Sequence, residues 1–291
     1  MTWFVYAVLA AFMASLASVI EKRALSRVHS TDFSLIVALF IAICSIPFFF
    51  VLPHDTLTAG VLVTIYATSL LASFAFLEVT KGIRHMEISS SAPLFLLSPF
   101  LTALVAYIVL GEALTNAQLI GMGLLALGTY ILQTKNMRDG SGFLAHFFGD
   151  KYSRLILLGL CFYALTSTID RQILGTWHVP PMLYVGLMHY CIFFNFLLLF
   201  VYQKRNLTHI PAVIRDAWRP LVLVALFTLG YRMAYSMAVS ISAVALVIAI
   251  KRSSSLFTTV IGGQLFHDHA ILRKAIACSV MLLGVALMAL R

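Results

Sequence analysis

Charge is what this chain has least of. Charged residues make up 11% of its 291 positions and only eleven are acidic, against 61% hydrophobic. A water-soluble domain carries about 25% charged residues. This much apolar surface cannot be hidden in one aqueous core, so lipid must be its solvent, and a mean hydropathy of +0.97 agrees. Cysteine is scarce too. Cys44, Cys161, Cys191 and Cys278 all lie in apolar runs and none forms a CxxC pair, which argues against a disulfide or metal framework. They read as small hydrophobes in helices. No GxSxG, HExxH or nucleotide-binding motif occurs, so nothing points to an enzyme or to a cofactor. The densest metal-like cluster, "HDH" at His267 to His269, offers two ligands at i, i+2 without partners, and no metal is expected there. The net charge of +9 does not make a nucleic-acid binder: the bases lie between apolar runs, with no basic stripe interleaved with aromatics. The first apolar run, "WFVYAVLAAFMASLASVI", has no basic segment before it and reads as a retained helix, not a cleaved signal.

What the chain has is long hydrophobic runs. A membrane span needs about 20 mostly apolar residues. Ten such runs stand at about 3–22, 33–52, 58–80, 89–110, 118–134, 154–174, 183–202, 220–240, 243–265 and 271–290. Backbone polar groups cannot face lipid unpaired, and the period-2 alternation of a barrel is missing, so the runs read as helices. The fold class is all-α, polytopic, with ten transmembrane helices. The longest polar linker, 135–153, divides residues 1–134 from 154–291. The two parts look alike. "LASVIEKRAL" (Leu16 to Leu25) matches "LTSTIDRQIL" (Leu165 to Leu174), with acid and base in step. "LGEALTNAQLIGMGLLALG" (Leu110 to Gly128) matches "FHDHAILRKAIACSVMLLG" (Phe266 to Gly284) more loosely, with Glu112 on Asp268 and Gly128 on Gly284. A repeat of five helices must insert its copies upside down relative to each other, which is the plan of secondary transporters with a site at the midplane.

On these residues the chain resembles the drug/metabolite transporter superfamily, specifically the EamA-type permeases. "LGEALTNAQLIGMGLLALGTYIL" closes the first half, and "KRSSSLFTTVIGGQLFHDH" with "LLGVALMAL" closes the second. Gly111, Glu112, Gly121, Gly123 and Gly128 fit the family's glycine–glutamate pair and glycine-rich fifth helix, whereas His267 and Asp268 stand where the second pair would be. The resemblance implies a solute carrier with alternating access and names no solute.

Basic residues sort by side. Fifteen of the twenty, from Lys22 to Lys274, fall in loops and helix ends after the odd-numbered helices; the opposite side has only Arg291. The positive-inside rule puts the crowded side in the cytoplasm of a cell (inner) membrane, with both termini outside.

The four remaining bases, Arg171, Arg232, Lys251 and Arg252, lie within apolar runs. A charge at a helix centre costs about 2.5–3.5 kcal/mol on insertion scales, so such residues face a cavity and work there. Arg232 shares a helix face with Thr228, Tyr235 and Ser236; Lys251 shares one with Ser254, Ser255 and Thr258; Tyr163, Ser167, Asp170 and Arg171 form a third stripe. Adjacent residues on a helix diverge by about 100°. Lys251 is therefore assigned to the cavity, and Arg252 to an acid on a neighbouring helix, Glu78 or Asp170. Other readings stay open. Lys22 and Lys81 are placed to snorkel, Glu78 to pair with Lys81, and His189 to pack or to carry a proton. For Arg171, helix-end snorkelling and solute contact stand side by side. Pro93 and Pro99 are expected to bend the fourth helix.

The deep set of Glu78, Asp170, Arg171, Arg232, Lys251 and Arg252 has four positive charges and two negative, a surplus of +2. Unmatched buried charge is costly, and arginine matches phosphate or carboxylate with paired donors. The expected partner is a small organic anion, held by Lys251, Arg232, Tyr235, Arg171, Tyr163, Ser254 and Thr258. Glu21, Glu78, Asp170, His189 and Arg252 are the ion-pair or proton-coupling candidates. The alternatives are a flippase for a lipid-linked phosphate sugar and an amino-acid or drug exporter.

Overall fold

The computed structural model describes residues 2–86, 94–133, 151–203, 207–254, 257 and 271–289. Within them the chain runs through α1 (Thr2–Leu25), α2 (Ser30–Val51), α3 (Ala59–His85), α4 (Ser98–Leu110), α5 (Asn116–Gln133), α6 (Lys151–Arg171), α7 (Pro181–Tyr202), α8 (Ile210–Ile241), α9 (Val244–Arg252) and α10 (Ile271–Ala289). A π-turn, Gln172–Thr176, extends α6, and a 3-10 turn, Leu207–His209, leads into α8. There is no strand among the described residues. Six helical stretches among them are long and apolar enough to cross a membrane, and shorter apolar helices occur at Ser98–Leu110, Asn116–Ile131 and Ile276–Met288. The chain is an all-helical, polytopic membrane protein.

Local chemistry sets the helix ends. Thr58 caps α3 by accepting from the Val61 amide at 3.3 Å, which removes one orphan donor of the first turn. Gly111 ends α4 in the left-handed region, φ 68°, where a Cβ would be strained. Helix α8 begins at Ile210, ten residues before the apolar run read from the sequence. Pro220 stands inside it, and Ala217 is non-helical (φ −129°, ψ 20°). The proline ring displaces the preceding turn and kinks the helix there. Likewise α6 starts at Lys151, three residues inside the expected linker.

Helix α4 departs most from its expected span. Its described helix starts at Ser98 with Pro99 in the first turn, where a missing N–H costs least. The carbonyl that Pro99 would have bonded is that of Phe95, and the Ser98 hydroxyl donates to it at 3.0 Å. Ser98 thus re-satisfies what Pro99 frees. Pro93 and Ser89 to Ser91, expected to share in the bend, lie outside the described residues.

The helices pair α1 with α8, α3 with α6, α2 with α7 and α5 with α10. Further contacts are α4–α6, α1–α9, α4–α9, α3–α7 and α2–α8. This pattern is unchanged when each helix is exchanged for the one five places along: α1–α8 becomes α6–α3, α4–α6 becomes α9–α1, and α3–α7 becomes α8–α2. Small residues make the close approaches. Ala7, Ala10, Ala11 and Ser15 form the fully buried stripe of α1, and a Cβ on Gly121 of α5 would meet the Gly284 carbonyl of α10 at 2.6 Å. In lipid such close packing replaces the hydrophobic drive between helices. Large apolar side chains, Phe50, Val63, Tyr107 and Leu282 among them, stay exposed on the outside, as a lipid-facing surface requires.

Candidate functional site

Helices α8 and α9 bring three cations together. Lys251 on α9 places Nζ 5.1 Å from the Tyr231 ring centroid and 5.2 Å from that of Tyr235. Both tyrosines lie on α8, one turn apart. Arg232, next to Tyr231, holds Cζ 5.7 Å from the same Tyr231 ring. Two cations thus share one aromatic ring, a favourable contact where water is scarce. The Nε of Arg232 is buried and has no hydrogen-bond acceptor among the described residues. Among the described residues, Lys251 Nζ lies against these two rings and no hydrogen-bond acceptor.

Arg252 turns the other way, as the helical divergence requires. Its Nε donates to Ser98 Oγ at 2.6 Å, and Cζ lies 5.1 Å over the Phe95 ring. The expected acid partner is corrected here. Glu78 is taken by Lys81 at 2.7 Å within α3, and Asp170 by tyrosines. The hydroxyl that repairs the Pro99 break also receives Arg252, so one serine serves two helices.

Asp170, at the end of α6, is the buried carboxylate of the site. It accepts from the hydroxyl of Tyr184 on α7 and, at 3.4 Å, from that of Tyr235 on α8. Arg232 and Lys251 lie within its electrostatic reach. Tyr163, two turns earlier on α6, lies within reach of Arg232, Arg252 and Glu21. His189 is buried on α7, its Nδ1 donating to the Val185 carbonyl at 2.8 Å, and Arg232 acts on it too. Counting Arg232, Lys251 and Arg252 against Asp170 and Glu21 leaves 3 − 2 = +1. Arg171 and Glu78 drop out as one cation and one anion, so the fall from the +2 read from sequence depth comes from Glu21.

Arg171 shows where the first of those charges goes. Its Nε donates to Glu112 Oε1 at 2.7 Å, and its Nη1 to the carbonyls of Val239 at 2.8 Å and Ser240 at 3.2 Å. The guanidinium is engaged through Nε and Nη1 at the end of α8. Lys22, its counterpart in the sequence match, donates Nζ to the carbonyls of Ile83 at 2.6 Å and Met86 at 3.1 Å. Lys22 on α1 therefore caps the end of α3, and Arg171 on α6 caps the end of α8. A cation at a helix C-terminus satisfies orphan carbonyls and complements the dipole.

Ser254 is half-buried just beyond Lys251; Ser255, Thr258 and His267 to His269 lie outside the described residues. The sequence reading missed Tyr184, Tyr231 and Phe95, and it gave Glu112 no partner. The signal for Tyr231 was its position beside Arg232. Nothing local marks Tyr184, fourteen residues from the carboxylate it serves. The four cysteines are free, and no group of three or more metal-ligating side chains occurs among the described residues.

Residues 1–134 match the model of the EamA-like transporter family. A solved crystal structure of a protein is similar over 99% of this chain and 95% of that one, with TM-score 0.73 and 15% identity; at that identity the likeness shows the fold alone. No curated protein matches the chain. The resemblance carried by the Gly111–Glu112 segment is borne out. Residues 1–134, which carry the first five helices, are thus similar to the EamA-like transporter family.

Proposed function

We propose that this EamA-like transporter moves a small organic anion, bearing phosphate or carboxylate, through a central site by alternating access of two inverted five-helix repeats. One observation carries the reading: among the described residues, Arg232 Nε is buried without an acceptor, beside a Lys251 ammonium seated on tyrosine rings. Buried donors of this kind are costly unless matched, and an anion with several oxygens matches both. Arg232, Lys251, Tyr235 and Tyr163 would contact the solute, and Ser254 and Thr258 would extend the same face. Glu21, Asp170 and His189 remain the proton-coupling candidates.

Two features support the repeat. The helix pairing survives the five-place exchange, and Lys22 and Arg171 do the same capping work in the two halves. With five helices per copy, the two caps fall at opposite ends of the molecule. In this reading the ten helices cross a cell membrane with the charge-rich end in the cytoplasm and both termini outside.

The test is thermal unfolding of the purified protein in detergent against inorganic phosphate, glycerol phosphate, malate, citrate and the cation tetraphenylphosphonium. At least one organic anion should raise Tm in a saturable way, and Lys251→Met should remove that rise. Stabilisation by the cation alone, or an anion effect equal in Lys251→Met, overturns the proposal.

A further inference from the structure

The Glu112–Arg171 pair crosses from the first half of the chain to the second, and it is built with more care than a helix cap needs. Glu112 follows the left-handed Gly111, which turns the chain off α4 and back toward the bundle. Its Oε1 takes Arg171, and its Oε2 accepts from the Val244 amide at 3.4 Å, in the first turn of α9. A carboxylate at a helix N-terminus is favourable in itself. Arg171 meanwhile binds the last carbonyls of α8. Four elements meet on two side chains: the α4–α5 turn, the end of α6, the end of α8 and the start of α9. Gly175 makes room for this, since a Cβ there would collide with the Arg171 guanidinium. The π-turn Gln172–Thr176 carries that glycine under the arginine.

The position is as telling as the bonds. Val244 lies seven residues before Lys251, and Val239 lies seven after Arg232. At 1.5 Å per residue both distances are about 10 Å, so the pair sits about two turns above the cations, toward the charge-poor end. Asp170 and Arg171 are adjacent. One residue holds Tyr184 and Tyr235 at the site while the next holds Glu112.

We propose that Glu112 and Arg171 form the gate that closes the cation site at the charge-poor end, and that α8 and α9 part from the α4–α5 turn when the pair breaks. Both side chains are about one-fifth to one-quarter exposed, 19% for Glu112 and 24% for Arg171, so the pair is partly desolvated yet within reach of water when it opens. Neither residue needs to touch the solute. The proposal rests on the alternating-access reading above, but not on the charge of the solute.

The experiment is pulsed electron–electron distance measurement, without added solute, in a chain whose four native cysteines are replaced by alanine. Spin labels go on exposed positions, Thr115 with Thr176 in one sample and Thr115 with Ile241 in a second. Glu112→Gln keeps the shape and an acceptor for Val244 while removing the charge. Arg171→Gln removes it from the other side. The expected result is that both pairs lengthen in both variants, with the longer population at least doubled relative to the parent. Unchanged distributions in folded variants overturn the gate. Lengthening of Thr115–Thr176 alone means a loosened turn, and overturns it as well. Should Arg171→Gln not fold, Glu112→Gln alone decides. The solute-binding reading is measured independently by anion-dependent Tm in the parent, so either can fail without the other.

Discussion

Arg171 and Arg232 are both arginines within apolar helices, and both head a polar stripe. The structure treats them oppositely. Arg171 spends its donors on one carboxylate and two carbonyls. Arg232 lies against a tyrosine ring with its Nε buried and without an acceptor among the described residues. Depth differs, Arg171 closing α6 and Arg232 standing inside α8, but depth by itself supplies no acceptor. What separates them is whether a distant segment delivers an acceptor. A Gly-Glu turn does so at one end of the bundle, and nothing described does so at its middle. In the proposed reading the engaged arginine holds the architecture and the other receives the ligand.

The largest effect that tests this contrast is on stability. Arg171→Met leaves Glu112 without its cation and the last carbonyls of α8 without their donor. Hydrogen bonds to charged groups are worth about 1.5–3 kcal/mol each, and the partial exposure of this pair favours the low end, so a loss of about 2–3 kcal/mol is expected. Arg232→Met strands no such set of acceptors and should lower Tm clearly less. The contrast breaks if urea or thermal unfolding in detergent finds the two variants equally destabilised.

Next comes binding. Arg232→Met should weaken the stabilising anion at least tenfold, about 1.4 kcal/mol, with the folded state intact. A saturation curve of Tm against anion concentration reads this directly. An unchanged midpoint would mean that the unsatisfied guanidinium is not the anion's partner and that the contrast with Arg171 is one of packing only.

How much of this was legible beforehand follows the same divide. The helices were readable because lipid demands long apolar runs, and ends moved where capping, prolines and kinks override hydropathy, as at Pro99, at Pro220 and at the polar start of α6. The divergence of Lys251 from Arg252 was readable because it depends on helical geometry alone. The partner of Arg252 was not. The sequence shows two acids at suitable depth, but Ser98 is recruited because Pro99 leaves the Phe95 carbonyl needing a donor, which brings that hydroxyl to α9. Glu112 was visible as a motif and silent as chemistry, since its partner lies 59 residues away. Lys22, read as a residue snorkelling to headgroups, instead finds carbonyls on α3 by the same long-range logic.

A smaller effect sharpens the engaged side of the comparison. Gly175→Ala would set a methyl against the Arg171 guanidinium. Overpacking costs about 1–3 kcal/mol, and the end of an arginine side chain gives way, so about 1 kcal/mol is expected. In the background of Arg171→Met the same change should cost little, because the guanidinium is gone. A double-mutant cycle on unfolding free energy checks it, and additive costs would mean that Gly175 serves something other than Arg171.

The smallest expected effect concerns Arg252, which stands between the two cases. Ser98→Ala removes one hydroxyl with two duties: a donor to the Phe95 carbonyl that Pro99 leaves free, and an acceptor for Arg252 Nε. The carbonyl stays at a helix start where local shifts can reach another donor, and Arg252 keeps its place over Phe95. The loss should therefore be near one ordinary hydrogen bond, about 0.5–1 kcal/mol. Ser98→Thr keeps the hydroxyl and should recover most of it. If Arg252 is structural, Ser98→Ala lowers Tm slightly and leaves the anion midpoint where it was. If Arg252 belongs with Arg232 and Lys251, freeing it from Ser98 changes the anion midpoint as well. Unfolding and anion titration of Ser98→Ala and Ser98→Thr side by side separate the two outcomes, and a shifted midpoint in the alanine variant alone would move Arg252 from the engaged cations to the available ones.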